Sequence, residues 1–440
     1  MKRNRELSNQ NPEPTNLNAE PRTTNPEPFQ KRLVVIGAGA AGTMAAICAA
    51  GSGASTLLVE RTRDGGRKIL ISGGGRCNIL PARLDESRFV SDAPPHLLRR
   101  LVRSWPLREQ IGFFEQQLGL PLVEEVESAK LFPASQQAHD VRDRLLELAR
   151  RKGVELRMET TVTGIEPQDA GWLVRLNGTE PIVATAVVVA TGGLSVPSTG
   201  SDGTGLRIIE GLGHTVRPLY PALTPITAEP APFASLAGVS LPVTITARSG
   251  DLFSAATGGF LFTHRGYSGP AVLDVSHVAV RSRHAGSRPA TITVRWTRLT
   301  DENWANLLSA RGSRSVLSVV GAEMPTRLAE ALLETAGVDP RLPLANLSRA
   351  HRLRLTDVLV RGALPWTGDE GYKKAEVTGG GVDLSEVDPR TMESRKHAGL
   401  FVCGEMLDAF GPIGGYNFLW AWATGRAAGL GASAIMKGLP

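Results

Sequence analysis

A turn built from small residues, between an apolar run and an Ala-rich segment, carries the clearest chemical signal in this sequence. Leu33–Ile36 is apolar, and a G-x-G-x-x-G pattern follows it directly. The turn consists of Gly37, Ala38, Gly39, Ala40, Ala41 and Gly42. Such a turn exposes backbone N–H groups at a helix N-terminus, where phosphate binds. A second apolar run, Leu57–Val59, ends at Glu60, whose carboxylate can accept hydrogen bonds from ribose hydroxyls. The pattern therefore predicts a dinucleotide site.

The same stretch raises the alternative of a membrane span, because 33–59 carries no charged residue. However, glycines interrupt it repeatedly, and its apolar residues fall into two short blocks typical of buried parallel strands. We therefore interpret it as strand, helix and strand, and we expect no membrane association.

A glycine-rich segment with interspersed cations follows Glu60 and resembles a second anion cradle. Its candidate residues are Arg61, Arg67, Lys68, Gly74, Gly75, Arg76, Cys77 and Asn78. The alternative is a flexible surface loop, although the apolar residues 69–71 favour anchoring in a core. Cys77 has no nearby partner cysteine, so we expect it to pack or to offer its backbone near the ligand rather than to act as a redox thiol.

Three further segments contain residues that are candidates for contact with the same ligand. A buried strand at 186–190 ends at Thr191, Gly192 and Gly193, and ligands bind at the carboxyl ends of such strands. The strand around Val162 is a candidate for backbone contact with an adenine ring. Near the C-terminus, an apolar strand and a glycine-rich loop precede an Ala- and Gly-rich helix. The candidate residues there are Gly404, Glu405, Gly414, Gly415, Tyr416 and Asn417.

The elements that must position these residues divide the chain into segments. Residues 1–30 are poor in apolar side chains and are expected to be disordered. We assign 31–215 and 370–440 to one nucleotide-binding domain, 216–300 to a β-rich insertion and 301–369 to a helical subdomain. His264, in the insertion, is the side chain best suited to proton transfer near neutral pH, and the alternative is a structural histidine.

Composition narrows the function classes. The chain has 440 residues, 42% hydrophobic and 21% charged, with three dispersed cysteines, which indicates neither a disulfide framework nor a zinc site. There is no apolar segment typical of a secretory signal, so we expect a cytoplasmic protein. The net charge is +6, but no nucleic-acid recognition motif accompanies it, so the sequence gives little reason to expect a nucleic-acid partner.

The motifs together resemble the BaiN/YhiN-type flavoproteins, a family of NAD(P)/FAD-dependent oxidoreductases. The resemblance rests on VVIGAGAAG (34–42), GRKILISGGGRCN (66–78), AEVTGGGV (375–382) and LFVCGEMLDAFGPIGGYNFLWAWATG (400–425). It implies an α/β fold: a three-layer Rossmann-like domain that binds FAD and is built from both ends of the chain, with a β-barrel-like and helical insertion. The resemblance places 37–42 and Glu60 at the ADP half of FAD, 191–192 at the pyrophosphate, and 68–78 and 404–417 towards the flavin.

We therefore expect an FAD-dependent oxidoreductase that acts on a small molecule, with NAD(P)H as a transient electron donor because only one G-x-G-x-x-G turn is present. Two alternatives remain open: a flavin-bearing RNA-binding or RNA-modifying protein, and a non-catalytic FAD sensor. The sequence does not identify the substrate, a catalytic residue, a metal site or the oligomeric state.

Overall fold

The computed structural model describes residues 31–284, 288–309 and 313–438. The strands are β1 Leu33–Ile36, β2 Thr56–Val59, β3 Leu80–Pro81, β4 Leu122–Glu125, β5 Lys130–Pro133, β6 Glu155–Arg157, β7 Val162–Gln168, β8 Gly171–Leu176, β9 Ile182–Ala184, β10 Ala186–Val189, β11 Val216–Ala222, β12 Ile226–Thr227, β13 Ser240–Ser249, β14 Leu252–Thr263, β15 Gly266–Ser268, β16 Thr291–Arg295, β17 Gly362–Ala363, β18 Gly368–Asp369, β19 Val377–Val382 and β20 Leu400–Val402. The helices are α1 Ala40–Gly51, α2 Arg67–Ile71, α3 Pro95–Arg103, α4 Leu107–Gly112, α5 Ala138–Arg151, α6 Thr204–Gly211, α7 Pro270–His284, α8 Asp301–Leu307, α9 Val316–Val320, α10 Thr326–Ala336, α11 Arg349–Arg361 and α12 Tyr416–Met436.

A five-stranded parallel sheet carries the nucleotide motif. Its order is β20-β10-β1-β2-β6, and β1 pairs in parallel with both β2 and β10. Every residue of β1, β2, β10 and β20 is buried, which explains why these strands read as uninterrupted apolar runs. Because β20 comes from the C-terminal part of the chain, both ends of the sequence build one sheet.

Helix α12 packs closely along α1. A Cβ atom on Gly425 would lie 2.3 Å from the carbonyl oxygen of Ala41, and one on Gly429 would lie 2.2 Å from that of Ala45. These contacts leave no room for a side chain, so the two glycines allow the helix backbones to touch. The contact holds the C-terminal segment against the helix that begins at the dinucleotide turn.

The insertion is a seven-stranded antiparallel sheet, of order β17-β16-β13-β14-β15-β12-β18, with helices packed on it. One hydrophobic cluster contains residues from both its strands and its helices, from Ile226 to Leu364. Within the segment expected to be β-rich lies α7, a 15-residue helix that the strand-like pattern did not predict. Its valines are β-branched and favour strand in isolation, but here the helix packs against β13 and β14, and Val272, Val275 and Val278 belong to the hydrophobic cluster of the insertion.

These observations confirm the expected fold class, an α/β Rossmann-like domain with an antiparallel and helical insertion. The assignment of 31–215 with 370–440, 216–300 and 301–369 to separate units remains a proposal. Separate hydrophobic clusters distinguish the nucleotide-binding part from the insertion, but 216–300 and 301–369 share one cluster. The expected disorder of 1–30 lies outside the described residues. In the described ranges no helix combines the length and apolar character that a membrane crossing requires.

Candidate functional site: a cleft between both ends of the chain

The turn after β1 has the geometry expected of a phosphate-binding turn. Gly37 has a φ of +102°, and a Cβ there would lie 2.6 Å from the carbonyl oxygen of Ala190. Gly42 packs even more tightly, since its Cβ would lie 1.9 Å from the oxygen of Gly37. At Gly39, by contrast, a Cβ would meet no atom within 4 Å. The space next to Gly39 is therefore open at the N-terminus of α1, as an approaching phosphate requires.

Glu60 follows β2 and holds this turn in place. One carboxylate oxygen accepts a 2.7 Å hydrogen bond from the backbone N–H of Ala38. The other accepts hydrogen bonds from the backbone N–H and the hydroxyl of Thr62. A carboxylate has about four lone-pair sites, so these bonds leave acceptor capacity for ribose hydroxyls. Glu60 therefore connects the phosphate turn to the expected ribose position.

The segment after Glu60 is more ordered than a flexible loop. Arg67–Ile71 forms α2, and a short 3₁₀ turn at Ser72–Gly75 follows it. Ile69 is buried, whereas Ile71 is exposed and lines the cleft. Cys77 is fully buried, and burial raises the pKa of its thiol to about 12. The thiol is consequently protonated at neutral pH, which agrees with a packing role.

Lys68 and Glu405 connect the two ends of the chain. The ammonium of Lys68 lies 2.6 Å from one Glu405 oxygen and donates a 2.7 Å hydrogen bond to the hydroxyl of Ser195. The other Glu405 oxygen accepts hydrogen bonds from Ser195 and from the backbone N–H of Thr378. Burial by itself raises the pKa of Glu405, but the Lys68 charge and these hydrogen bonds outweigh burial and lower the pKa below its usual value.

A side chain from the first turn of α12 holds the loop that precedes this helix. The amide of Asn417 accepts a hydrogen bond from the N–H of Gly411 and donates one to its carbonyl oxygen. Tyr416 is buried instead against Phe89, at a ring-centroid distance of 5.6 Å. Asn417 can therefore shape the loop at the cleft, whereas Tyr416 anchors it.

These elements enclose one cleft with a volume of about 510 Å³. Most of the candidate residues line it: Gly37, Gly39, Ala40, Ala41, Glu60, Arg61, Arg67, Lys68, Gly74, Arg76, Asn78, Val162, Thr191, Gly192, Gly404, Glu405, Gly414, Gly415 and Asn417. Others are not among the lining residues: Ala38, Gly42, Gly75, Cys77, Gly193 and Tyr416. Gly193 packs behind the wall, where a Cβ would lie 2.3 Å from the hydroxyl of Thr378.

The cleft also contains residues that the sequence patterns did not single out. They include Thr62, Lys130, Phe132, Thr160, Ser201, Asp202, Glu376, Phe410 and Ile413. Glu376 lay in the motif AEVTGGGV, and Phe410 and Ile413 lay in the motif at 400–425, but nothing in either motif distinguished these side chains. His264 and Arg265 are exposed and do not line the cleft. The described part of the chain has no cluster of three or more His, Cys, Asp or Glu side chains suited to a metal ion.

Comparison with known proteins identifies relatives along almost the whole chain. The profile of the HI0933-like protein Rossmann domain matches residues 31–431. The chain is 33% identical over 404 residues to a ribosomal RNA dihydrouridine synthase of Escherichia coli, covering 90% of this chain and 96% of that protein. It is 31% identical over 412 residues to a 3-dehydro-bile acid delta(4,6)-reductase of Clostridium scindens, covering 91% and 99%.

A solved structure shares the fold at low sequence identity. The 3-ketosteroid delta1-dehydrogenase of Sterolibacterium denitrificans matches 92% of this chain and 99% of its own, with a TM-score of 0.50 and 12% identity. The expectation that nucleic acid is not a partner finds no support, because a relative is named for ribosomal RNA. The family match confirms the predicted resemblance, and the chain belongs to the HI0933-like Rossmann-domain family of FAD-dependent oxidoreductases.

Proposed function

We propose that this protein uses FAD to reduce a carbon–carbon double bond conjugated to a carbonyl group. The observation that carries the proposal is the single cleft, in which the 37–42 turn and Glu60 face the same space as the 404–417 loop. Two relatives support the reaction class, since dihydrouridine formation and 3-oxo-Δ4 reduction both saturate a C=C bond conjugated to a carbonyl. Reduced flavin supplies hydride in such reactions.

The residues of the cleft fit FAD in charge and in shape. The open space at Gly39 lies at the positive end of α1, which suits the pyrophosphate. Glu60 suits the adenosine ribose, and Val162 with Thr160 and Thr161 provides a nearby wall for adenine. The 66–78 segment and the 404–417 loop would then hold the flavin half of the cofactor.

We further propose that NAD(P)H reduces the flavin by transient docking. The sequence contains one G-x-G-x-x-G turn, which the proposed FAD site would use, so the motif supports no second Rossmann site for permanent nicotinamide binding. A cytoplasmic location would supply both nicotinamides.

Two acceptors remain within this reaction class. The first is a uridine in ribosomal RNA, favoured by the relative named for that reaction and by the net charge of +6. The second is a small enone, favoured by the bile-acid reductase relative and by apolar side chains of the cleft, namely Phe132, Phe410 and Ile413.

The test starts with the purified, FAD-loaded protein under anaerobic conditions. Loss of the visible flavin absorbance on addition of NADH or NADPH would identify the donor. The reduced protein is then mixed separately with ribosomal RNA lacking dihydrouridine and with 3-oxo-Δ4 steroids. Flavin reoxidation with formation of dihydrouridine or of a saturated ketone supports the proposal and selects the acceptor. Reoxidation by neither class, with an intact flavin, contradicts it.

A further inference from the structure

The charged side chains of the cleft divide into paired and unpaired groups. Most of its cations form ion pairs: Arg61 with Asp202, Arg67 with Asp64, Lys68 with Glu405 and Arg76 with Glu125. Two of its carboxylates, Glu60 and Glu405, accept several hydrogen bonds from neighbouring N–H and hydroxyl groups. These groups are already used to hold the walls together.

Lys130 and Glu376 differ from all of these. Within 31–284, 288–309 and 313–438, no carboxylate forms an ion pair with the Lys130 ammonium, and no hydrogen bond reaches the Glu376 carboxyl group. Both side chains line the cleft, and Glu376 is exposed to it. They interact electrostatically without being in contact. An unpaired donor and an unpaired carboxyl group that share one cavity are the groups that remain for a ligand.

Their surroundings place them together beside the loop that precedes α12. Lys130 begins β5 and pairs with Pro81, and its side chain lies beside Gly414, where a Cβ would be 3.9 Å from its Cε. Glu376 directly precedes β19, whose Val377 shares a hydrophobic cluster with Phe410. The two side chains thus line the cleft from different elements, and apolar residues of the 409–415 loop line the same cleft.

We propose that Glu376 donates the proton that completes the reduction and that Lys130 binds the carbonyl oxygen of the acceptor. This inference rests on the function proposed above. FAD, when bound and reduced, would supply the hydride that the β-carbon receives. The C=C electron pair would then move onto the carbonyl oxygen, where the Lys130 ammonium would stabilise the enolate. The Glu376 carboxyl proton is then transferred to the α-carbon, leaving a saturated carbonyl compound, oxidised flavin and a carboxylate that regains its proton from water.

The electrostatic environment of Glu376 suits this role. Protein surrounding the side chain raises the pKa of the carboxyl group, Lys130 opposes the rise, and Asp274 of α7 adds to it. Asp274 itself accepts hydrogen bonds from the Ile413 N–H and from Arg88. A raised pKa keeps more of the acid form available near neutral pH, as a general acid requires.

The first part of the test needs no turnover. Pentafluorophenol, which is an anion at neutral pH, mimics an enolate oxygen, and its binding to the oxidised, FAD-loaded protein is followed by the charge-transfer absorbance. Lys130→Met should weaken this binding about tenfold or more, as loss of a charged hydrogen bond predicts. In the wild type, affinity should fall as pH rises and Glu376 ionises, and this fall should be absent in Glu376→Gln.

The second part measures the acceptor step alone. Flavin is reduced with dithionite and mixed with 2-cyclohexenone, so the result does not depend on the nicotinamide. Glu376→Gln should slow reoxidation by about 100-fold or more, the usual contribution of general acid catalysis, while FAD content stays unchanged. Glu127→Gln and Lys374→Met, at exposed positions outside the cleft, should match the wild type in both measurements.

The outcomes separate this inference from the proposed function. Unreactive wild-type protein with the predicted phenolate behaviour contradicts the reaction class but supports the assignment of both residues to a ligand site. The inference is overturned if Lys130→Met binds pentafluorophenol with wild-type affinity and the affinity of Glu376→Gln depends on pH as it does in the wild type. Reoxidation of Glu376→Gln at the wild-type rate excludes it as the proton donor.

Discussion

At the scale of single residues, Gly39 and Gly42 occupy the same motif but have different physical roles. A methyl group on Gly39 would meet no protein atom within 4 Å, whereas one on Gly42 would lie 1.9 Å from the oxygen of Gly37. The missing side chain at Gly39 therefore leaves space for a ligand, whereas the missing side chain at Gly42 allows the close contact between helix and strand. The two substitutions to alanine should consequently separate binding from folding.

We expect Gly39→Ala to leave the free energy of unfolding of the FAD-free protein within about 1 kcal/mol of wild type, because its backbone is extended and its surroundings are open. FAD affinity should fall at least about tenfold, since the methyl group occupies the phosphate position. Gly42→Ala should instead destabilise the FAD-free protein by about 1–3 kcal/mol or more through overpacking. Urea unfolding and FAD titration of both variants check this, and equal FAD affinity in Gly39→Ala and wild type would contradict it.

Glu60→Gln should weaken FAD binding by about 1.5–3 kcal/mol, since it removes the charge that accepts the ribose hydrogen bonds. Thr62→Val is the matched control, because it removes a hydrogen bond to the same carboxylate and keeps the charge. The control should affect FAD affinity less than Glu60→Gln does. Equal losses in the two variants would mean that Glu60 only organises the turn.

The G-x-G-x-x-G turn and Glu60 could be predicted because the spacing of a local motif is fixed by the dinucleotide that it binds. Lys130 and Glu376 could not be predicted, because they are far apart in sequence and line the same cleft only in the tertiary fold. The amino-acid pattern also did not show that Tyr416 would face the core rather than the cleft. That outcome depends on the rotation of α12, which its contact with α1 determines.

At the scale of elements, the contact between α1 and α12 holds the two halves of the site together. Gly429→Ala should destabilise the protein by about 1–3 kcal/mol, even though alanine favours helix by about 1 kcal/mol over glycine, because its Cβ would meet the backbone of Ala45. Gly211→Ala in α6 is the control, since nothing lies within 4 Å of its Cβ position, and it should be neutral or stabilising. A Gly429→Ala variant as stable as the wild type would show that α1 and α12 can move apart without a loss in the free energy of unfolding.

Helix α7 should make the protein sensitive to acid. Burial, with a smaller effect of Arg281, lowers the pKa of His277 from 6.5 to about 4. The neutral imidazole is therefore favoured in the folded state, and the unfolded state gains protons first as the pH falls. The contribution of His277 to the free energy of unfolding should be fully present above pH 6.5. At pH 4 this contribution should be lower by about 3 kcal/mol.

Urea unfolding of wild type and His277→Gln at both pH values measures this contribution, since groups common to both proteins cancel in the difference. Glutamine does not titrate, so the variant should lose less stability between the two pH values. An identical loss in both proteins would show that His277 is not held neutral in the folded state.

At the scale of the whole molecule, one cleft is assembled from sequence segments separated by more than 300 residues. The parallel sheet makes this possible, because β20 joins the strands of the N-terminal motif and delivers the 404–417 loop to their carboxyl ends. The buried strands and the fold class could be predicted from apolar runs and motif order. The presence of α7 could not, because its packing against the insertion overrides the strand preference of its valines.

The central claim is that both ends of the chain bind one FAD per protein molecule. The most direct measurement is the visible spectrum of the purified protein after incubation with FAD and removal of free cofactor, followed by identification of the released flavin. The account predicts the two-banded flavin spectrum and about one FAD per chain, with less FAD retained by Gly39→Ala. A colourless protein that retains no FAD would contradict it.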